Sequence, residues 1–159
     1  QIIDEIKTIL GPSGFSLNKE DRMVYSYDAT GKSYPPEGIL FPKSEDEISR
    51  ILRMASRSQL PVIPRGSGSG MTGGAVAVQG GLVLVTSRMN SILDIDDRNF
   101  VARVEPGVIV SDLHRAVEEK GLFYPPDPAS SAVCSIGGNV AECAGPTRFR
   151  NSPSPELTQ

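Results

Sequence analysis

Apolar positions open this chain at helical spacing: Ile2, Ile6, Ile9 and Leu10 share one face before Gly11-Pro12, which predicts a short amphipathic helix over residues 1–10. The stripe reads as packing surface rather than a membrane anchor. No period is sustained from there to Gly38, so an irregular lead-in is expected before the short buried strand Gly38-Ile39-Leu40-Phe41-Pro42. Ser44 and Glu47 then form a capping-box pattern, and Ile48, Ile51, Leu52 and Ala55 fall at the offsets of one buried helical face. With Pro61-Val62-Ile63-Pro64 following, this makes a strand, helix, strand unit. Beyond residue 80 the pattern changes to consecutive strands at Gly81 to Thr86, Ile92 to Asp96 and Asn99 to Glu105, with Asp96-Asp97-Arg98-Asn99 as turn chemistry. Pro106-Gly107 breaks the run. Ser111 is positioned to cap a helix whose apolar face is Leu113, Ala116 and Val117, and Gly121 stops it. The expected architecture is a small α/β unit followed by a more meandering sheet with a crossing helix.

Composition narrows the picture only modestly. A chain of 159 residues is one domain's worth and buries roughly two-thirds of its unfolded surface. A formal net charge of −3 gives no reason to expect nucleic acid. No apolar run approaches the roughly 20 residues that span a bilayer, and no charged-then-apolar leader precedes the first helix, so a soluble, unsecreted, cytoplasmic protein is expected. Gln1 in place of Met places the expected start upstream. Cys134 and Cys143 with the single His114 do not make a zinc or iron–sulfur pattern, so no metal is expected and the cysteines read as free thiols. From Pro146 the chain is poor in apolar residues and rich in Pro and Ser, which predicts a disordered tail over 146–159.

The most informative stretch is Val62-Ile63-Pro64-Arg65-Gly66-Ser67-Gly68-Ser69-Gly70-Met71-Thr72-Gly73-Gly74. Small side chains leave backbone N–H groups bare, and successive bare N–H groups at a strand end form an anion-binding concavity suited to a pyrophosphate. The spacing is neither that of a P-loop, which needs a Lys after the second glycine, nor that of a Rossmann turn, which leads straight into a helix. Composition alone also fits a flexible linker. Order argues against that, since β-branched Val62 and Ile63 lead in and Leu82-Val83-Leu84-Val85 lead out. A diphosphate with little cation nearby is held by backbone groups, and Arg65 is the full charge available to assist.

This loop, together with Pro125-Pro126-Asp127-Pro128-Ala129-Ser130 and Cys134-Ser135-Ile136-Gly137-Gly138-Asn139-Val140-Ala141-Glu142, resembles the two FAD-contacting stretches of flavoproteins with the vanillyl-alcohol-oxidase type, or PCMH-type, FAD domain. Two motifs in the right order are more specific than either alone. Within that family the sequence is most similar to the FAD-linked 2-hydroxyacid dehydrogenases, the group of the glycolate oxidase FAD subunit and the D-lactate dehydrogenases. The likeness runs from about Tyr27 to about Gly145. It implies an α+β fold in which a small α/β subdomain precedes a second, mostly antiparallel sheet subdomain, with FAD between the lobes. Carried onto this chain, the cofactor contacts are Pro64, Arg65, Gly66, Ser67, Gly68, Ser69, Gly70, Met71, Gly73, Gly74, Pro128, Gly137, Gly138 and Asn139. The prolines would supply a rigid wall, Gly137 and Gly138 a close approach to the ring or ribityl tail, and Asn139 an amide for the flavin edge. A plain turn at Pro125–Pro128 and a helix cap at Asn139 are the alternatives.

Relatives that attach the flavin covalently carry a histidine in this loop where Ser69 stands here, so the resemblance implies noncovalent FAD, with a thioether to Cys134 or Cys143 as the minor alternative. Other signals lose weight on inspection. Gly31-Lys32-Ser33 has Ser26 where a P-loop needs glycine and reads as a surface turn. His114 reads as a solvated helix position facing Glu118 rather than a catalytic base. Asp94, Asp96 and Asp97 lack the spacing of a calcium loop and read as a hairpin end.

The likeness stops abruptly after Gly145, where relatives continue into the rest of the FAD sheet and a large substrate domain. The expected organisation is a helix and lead-in over 1–34, an incomplete, truncated FAD domain over 35–145, and the tail. The implied function is the FAD-binding portion of an oxidoreductase acting on a 2-hydroxy acid of the glycolate or D-lactate type, inactive as this piece, with its catalytic base and carboxylate clamp outside it. A small 2-hydroxy acid substrate belongs to the full-length protein only, with an electron-accepting subunit as a further partner. Alternatives are a non-catalytic flavin-binding module and a reductase of the UDP-N-acetylenolpyruvylglucosamine type.

Overall fold

Two packed layers of different construction meet where the glycine-rich stretch begins, with Gly66 against Ser135. The computed structural model describes residues 2–144, so the expected tail lies outside the described residues. The first layer opens with helix α1 (Ile2–Leu10), strand β1 (Phe15–Ser16) and helix α2 (Lys19–Val24). The last two correct the expectation of an irregular lead-in. Strand β1 has only two residues, and α2 buries none of its side chains, so neither leaves an apolar period to read. Instead α2 is tied down by polar contacts, from Ser16 to Asp21 and from Arg22 Nε to the Pro36 carbonyl.

Strand β2 (Gly38–Leu40), helix α3 (Glu45–Arg57), strand β3 (Val62–Arg65) and strand β4 (Leu82–Val85) complete this layer as one sheet, ordered β1-β2-β4-β3. Strands β2, β4 and β3 run parallel, and β1 pairs antiparallel with β2. The Ser44 hydroxyl accepts the Glu47 N–H at 3.3 Å, and the Glu47 carboxylate answers at the Lys43 N–H, 2.6 Å away, which fixes where α3 begins. On α3 the buried face is Ile51, Met54 and Ala55; Leu52, expected inside, is 48% exposed. Side chains of the sheet alternate, with Leu40, Leu82 and Leu84 packing on α1 and α3, and Ile39, Val83 and Val85 packing on Ala77, Tyr25 and Phe41.

From its place in the run of consecutive strands, β4 is expected to open the second sheet. It lies instead between β2 and β3, buried at all four residues. An unbroken apolar run with no polar alternation is what a central parallel strand needs, because both its faces are covered. The glycine loop, residues 66–81, is therefore the crossover that joins two neighbouring parallel strands.

The second layer holds strands β5 (Ile92–Asp96) and β6 (Val101–Val104), which form an antiparallel hairpin, and helices α4 (Val110–Glu118) and α5 (Ile136–Ala141). Asp96 Oδ1 accepts the Arg98 and Asn99 N–H groups, each at 3.0 Å, so these acids close a hairpin as expected. Val108, Val110, Leu113, Val117, Cys134 and Ile136 form this layer's core. Helix α4 begins two residues earlier than expected, with Ile109 at the cap position, and Ser111 lies in its first turn. Gly121, at φ +71°, ends the following turn as expected. His114 corrects its expected placement in solvent: it is 7% exposed, and its Nε2 meets the Pro126 carbonyl at 2.9 Å. Cys134 is buried, Cys143 is exposed, and both are free. No helix among the described residues is long and apolar enough to cross a membrane, and no metal-holding cluster of His, Cys, Asp or Glu occurs among them.

Candidate functional site

Strands β3 and β4 end side by side, and a cleft of about 480 Å³ opens just beyond their carboxyl ends. That is where ligands sit in open parallel sheets, and the volume lies within the range of small-molecule and cofactor pockets. From β3 and the loop after it come Arg65, Gly66, Ser67 and Gly68; from β4 and the turn after it come Val85, Thr86 and Ser87; Tyr25 and Tyr27 of the lead-in close one side. The second layer contributes Gly107, Ile109, Asp112 and Ser135. An isolated bridge between Ile109 and Ser135 sets the starts of α4 and α5 beside one another there.

Close approach of backbone explains the glycines that border the cleft. A Cβ on Gly66 would collide with the Ser135 hydroxyl, which caps α5 by accepting the Gly138 N–H at 3.3 Å. Gly68 has φ +74°, and a Cβ there would meet the Arg65 guanidinium. A Cβ on Gly107 would run into the Thr86 and Met89 carbonyl oxygens. The two layers thus touch through glycine at the floor of the cleft.

Arg65 supplies the charge. It is 6% exposed, with its Nη1 donating to the Ala75 carbonyl at 3.1 Å and its guanidinium carbon 5.6 Å from the Tyr25 ring centroid. Burial pulls its pKa below the ordinary arginine value, and the Asp28 carboxylate opposes that pull. Arginine nevertheless stays protonated. Its Nε is buried without a hydrogen-bond partner, a position shared among the described residues only with Asn139 Nδ2. Asp28 lies behind the loop. Burial alone would raise its pKa, but hydrogen bonds from Thr30 and from the Gly73 N–H, with the Arg65 charge nearby, hold it below the ordinary carboxylate value.

Of the residues expected to hold cofactor, the cleft brings together Arg65, Gly66, Ser67 and Gly68. The others stand apart from its lining. Pro64 is exposed on β3, and Met71 is 77% exposed. Ser69, Gly70 and Pro128 are half-buried. Gly73 and Gly74 donate their N–H groups to the chain's own Asp28 Oδ2 and Thr72 Oγ1. Gly137 has a packing reason of its own, since a Cβ there would fall 2.9 Å from Pro106 Cβ. Gly138 donates to the Ser135 cap, and buried Asn139 accepts from the Tyr124 hydroxyl at 3.0 Å. Asn139 lies within α5, so it is not a cap. Sequence reasoning missed Tyr25, Tyr27, Thr86, Ser87, Gly107, Ile109, Asp112 and Ser135. Two of these carried a signal: Ser135 stands directly before an Ile-Gly-Gly helix start, and Gly107 follows a proline at a strand end.

The FAD binding domain family model matches residues 36–152. This chain belongs to that family. Among curated relatives of this FAD-binding chain, the glycolate oxidase subunit GlcD of Bacillus subtilis is 47% identical over 146 residues, covering 91% of this chain and 31% of the relative. A D-lactate dehydrogenase of Anaerostipes hadrus is 38% identical, covering 93% and 31%. The chain therefore spans about a third of the length of the relatives it matches. Among solved structures, alkyldihydroxyacetonephosphate synthase superposes with a TM-score of 0.81 at 24% identity, over 91% of this chain and 32% of the other, which shows a shared fold. The residues present fit FAD: Gly66, Ser67 and Gly68 line the cleft, and a buried arginine with an unpartnered Nε stands beside them.

Proposed function

We propose that this chain is the FAD-holding portion of an oxidoreductase that oxidises a small 2-hydroxy acid and passes the electrons to a partner acceptor. The observation that carries the cofactor reading is the cleft at the end of β3, where glycine and a buried arginine share one wall. Gly66 and Gly68 let Ser135 and the Arg65 guanidinium close on the backbone at the cleft wall, and Arg65 balances a diphosphate's charge in a setting of low dielectric, where a charge-assisted hydrogen bond is strong. When bound, FAD supplies a two-electron acceptor for the substrate C–H bond. The chain's own part is to hold and orient it and to keep water from one side of it. The substrate class rests on the names of the relatives, a glycolate oxidase subunit and a D-lactate dehydrogenase. Pro64, Ser69, Gly70, Met71, Gly73, Gly74, Pro128, Gly137, Gly138 and Asn139 belong to this reading as further cofactor contacts.

The cofactor is held noncovalently. The loop offers no histidine, and His114 is buried against Pro126 in the other layer. Titrating the chain with FAD should quench flavin fluorescence, and acid precipitation of the loaded protein should leave the yellow colour in the supernatant. Unchanged fluorescence overturns the cofactor reading; colour retained on the pellet overturns the noncovalent one. In the longer protein, dye reduction with glycolate, D-lactate and a 2-hydroxydicarboxylic acid decides the substrate class.

A further inference from the structure

A limb of the glycine loop that does not itself line the cleft is gripped by a carboxylate that lies before the segment matched by the family. Asp28 is 5% exposed, and its Oδ2 accepts the Gly73 N–H at 3.1 Å. Its Oδ1 accepts the Thr30 N–H at 2.9 Å and the Thr30 hydroxyl at 2.6 Å. The next residue, Ala29, donates its N–H to the Gly70 carbonyl at 3.1 Å. Two successive residues of the lead-in therefore hold the loop at two points. Gly73 has φ +80° with nothing within 4 Å of where a Cβ would stand, so backbone conformation rather than crowding calls for glycine there. That conformation presents its N–H to Asp28. The loop has a second anchor, from the Thr72 hydroxyl to Glu142 Oε1 at 2.7 Å, but it is exposed to water, where such contacts contribute little. A desolvated carboxylate with three donors is the stronger restraint.

We propose that Asp28 is a positioning residue for the cofactor cleft, latching this limb of the glycine loop so that Gly66, Ser67 and Gly68 stay open to the ligand. This rests on the FAD reading for its consequence, though the latch itself is a property of the loop. The motif-based sites begin at Pro64 and do not include it. The lead-in becomes part of the binding site rather than a tether.

The test compares Asp28→Ala and Asp28→Asn with the parent in the full chain by two readouts, FAD affinity from fluorescence titration and amide hydrogen exchange resolved by segment. Loss of a charged hydrogen bond predicts an FAD dissociation constant about tenfold higher for Asp28→Ala. Exchange over residues 66–76 should quicken while β2 and β4 keep their protection. Asparagine retains one acceptor oxygen and should fall between; it also decides the matter if the alanine variant does not fold. Affinity and loop exchange unchanged in both variants overturn the proposal. So does a loss of protection that spreads equally through β2 and β4, which would mark a merely structural carboxylate. A parent chain that binds no FAD removes the cofactor reading, and the loop exchange alone then decides the latch.

Discussion

Gly68 carries two constraints at once, a left-handed backbone and a neighbour where a side chain would go. A residue with a Cβ pays roughly 1–2 kcal/mol for that backbone region alone, and at φ +74° it would also displace the Arg65 guanidinium. Gly68→Ala should therefore lower stability in a denaturant titration and weaken FAD binding in the fluorescence assay. Ser67→Ala, whose side chain is exposed on the same loop, should leave both within about 0.5 kcal/mol. Equal behaviour of the two variants would remove Arg65 and its glycine from the site. At this scale the sequence showed the loop's composition and the lone arginine, because both are local. It could not show what the loop leans on. Asp28 is 45 residues from Gly73, and Glu142 is 70 from Thr72; nothing in the local pattern of either marks the pairing.

Elements with an apolar stripe and a stop signal were legible, and those held by polar contacts were not. Helices α1 and α3 announce themselves by spacing, whereas α2 buries nothing and β1 is only two residues long. The place of β4 depended on a distinction periodicity does not make, between a strand of the next hairpin and a central parallel strand reached by a helix-free crossover. Helix α4 shows the same limit on its faces. Its apolar face was legible at Leu113 and Val117, but His114 turned inward, because the Pro126 carbonyl offers its ring a partner and Tyr124 lies beside it with centroids 5.7 Å apart. A buried imidazole in that setting braces the proline run against α4. His114→Ala should lower the unfolding free energy by about 1–3 kcal/mol, measured by urea denaturation. In the longer protein the pH dependence of kcat for 2-hydroxy acid oxidation should keep its shape; disappearance of one limb of that profile would make His114 a proton-transfer group after all.

For the molecule as a whole, the antiparallel layer is the less finished of the two. Its sheet is a single hairpin, β5 with β6, and both outer edges are free of further strands among the described residues. Beside the hairpin an apolar groove of about 370 Å³ runs between Ile95, Val101, Val104, Leu122, Phe123 and Val140. Phe100, with φ +56°, stands 80% exposed at its rim, and Val140 is 66% exposed. The first layer contrasts sharply, since its central strand β4 is covered on both faces and helices α1 and α3 pack on one of them. Contiguous apolar surface beside open strand edges favours association with another copy. The succession of a small α/β unit and a second sheet was legible from the change in pattern beyond the glycine loop, but the groove arises from residues in β6, α5 and the stretch after α4, which only the fold brings together. The 159-residue chain should therefore self-associate, with a sedimentation coefficient that rises with concentration through the micromolar range. Phe100→Ser, changing an exposed side chain that supports no core, should shift that equilibrium toward monomer without moving the unfolding midpoint. A parent chain that sediments as a monomer at every concentration, or a variant that associates as strongly as the parent, would show that this face is not the contact.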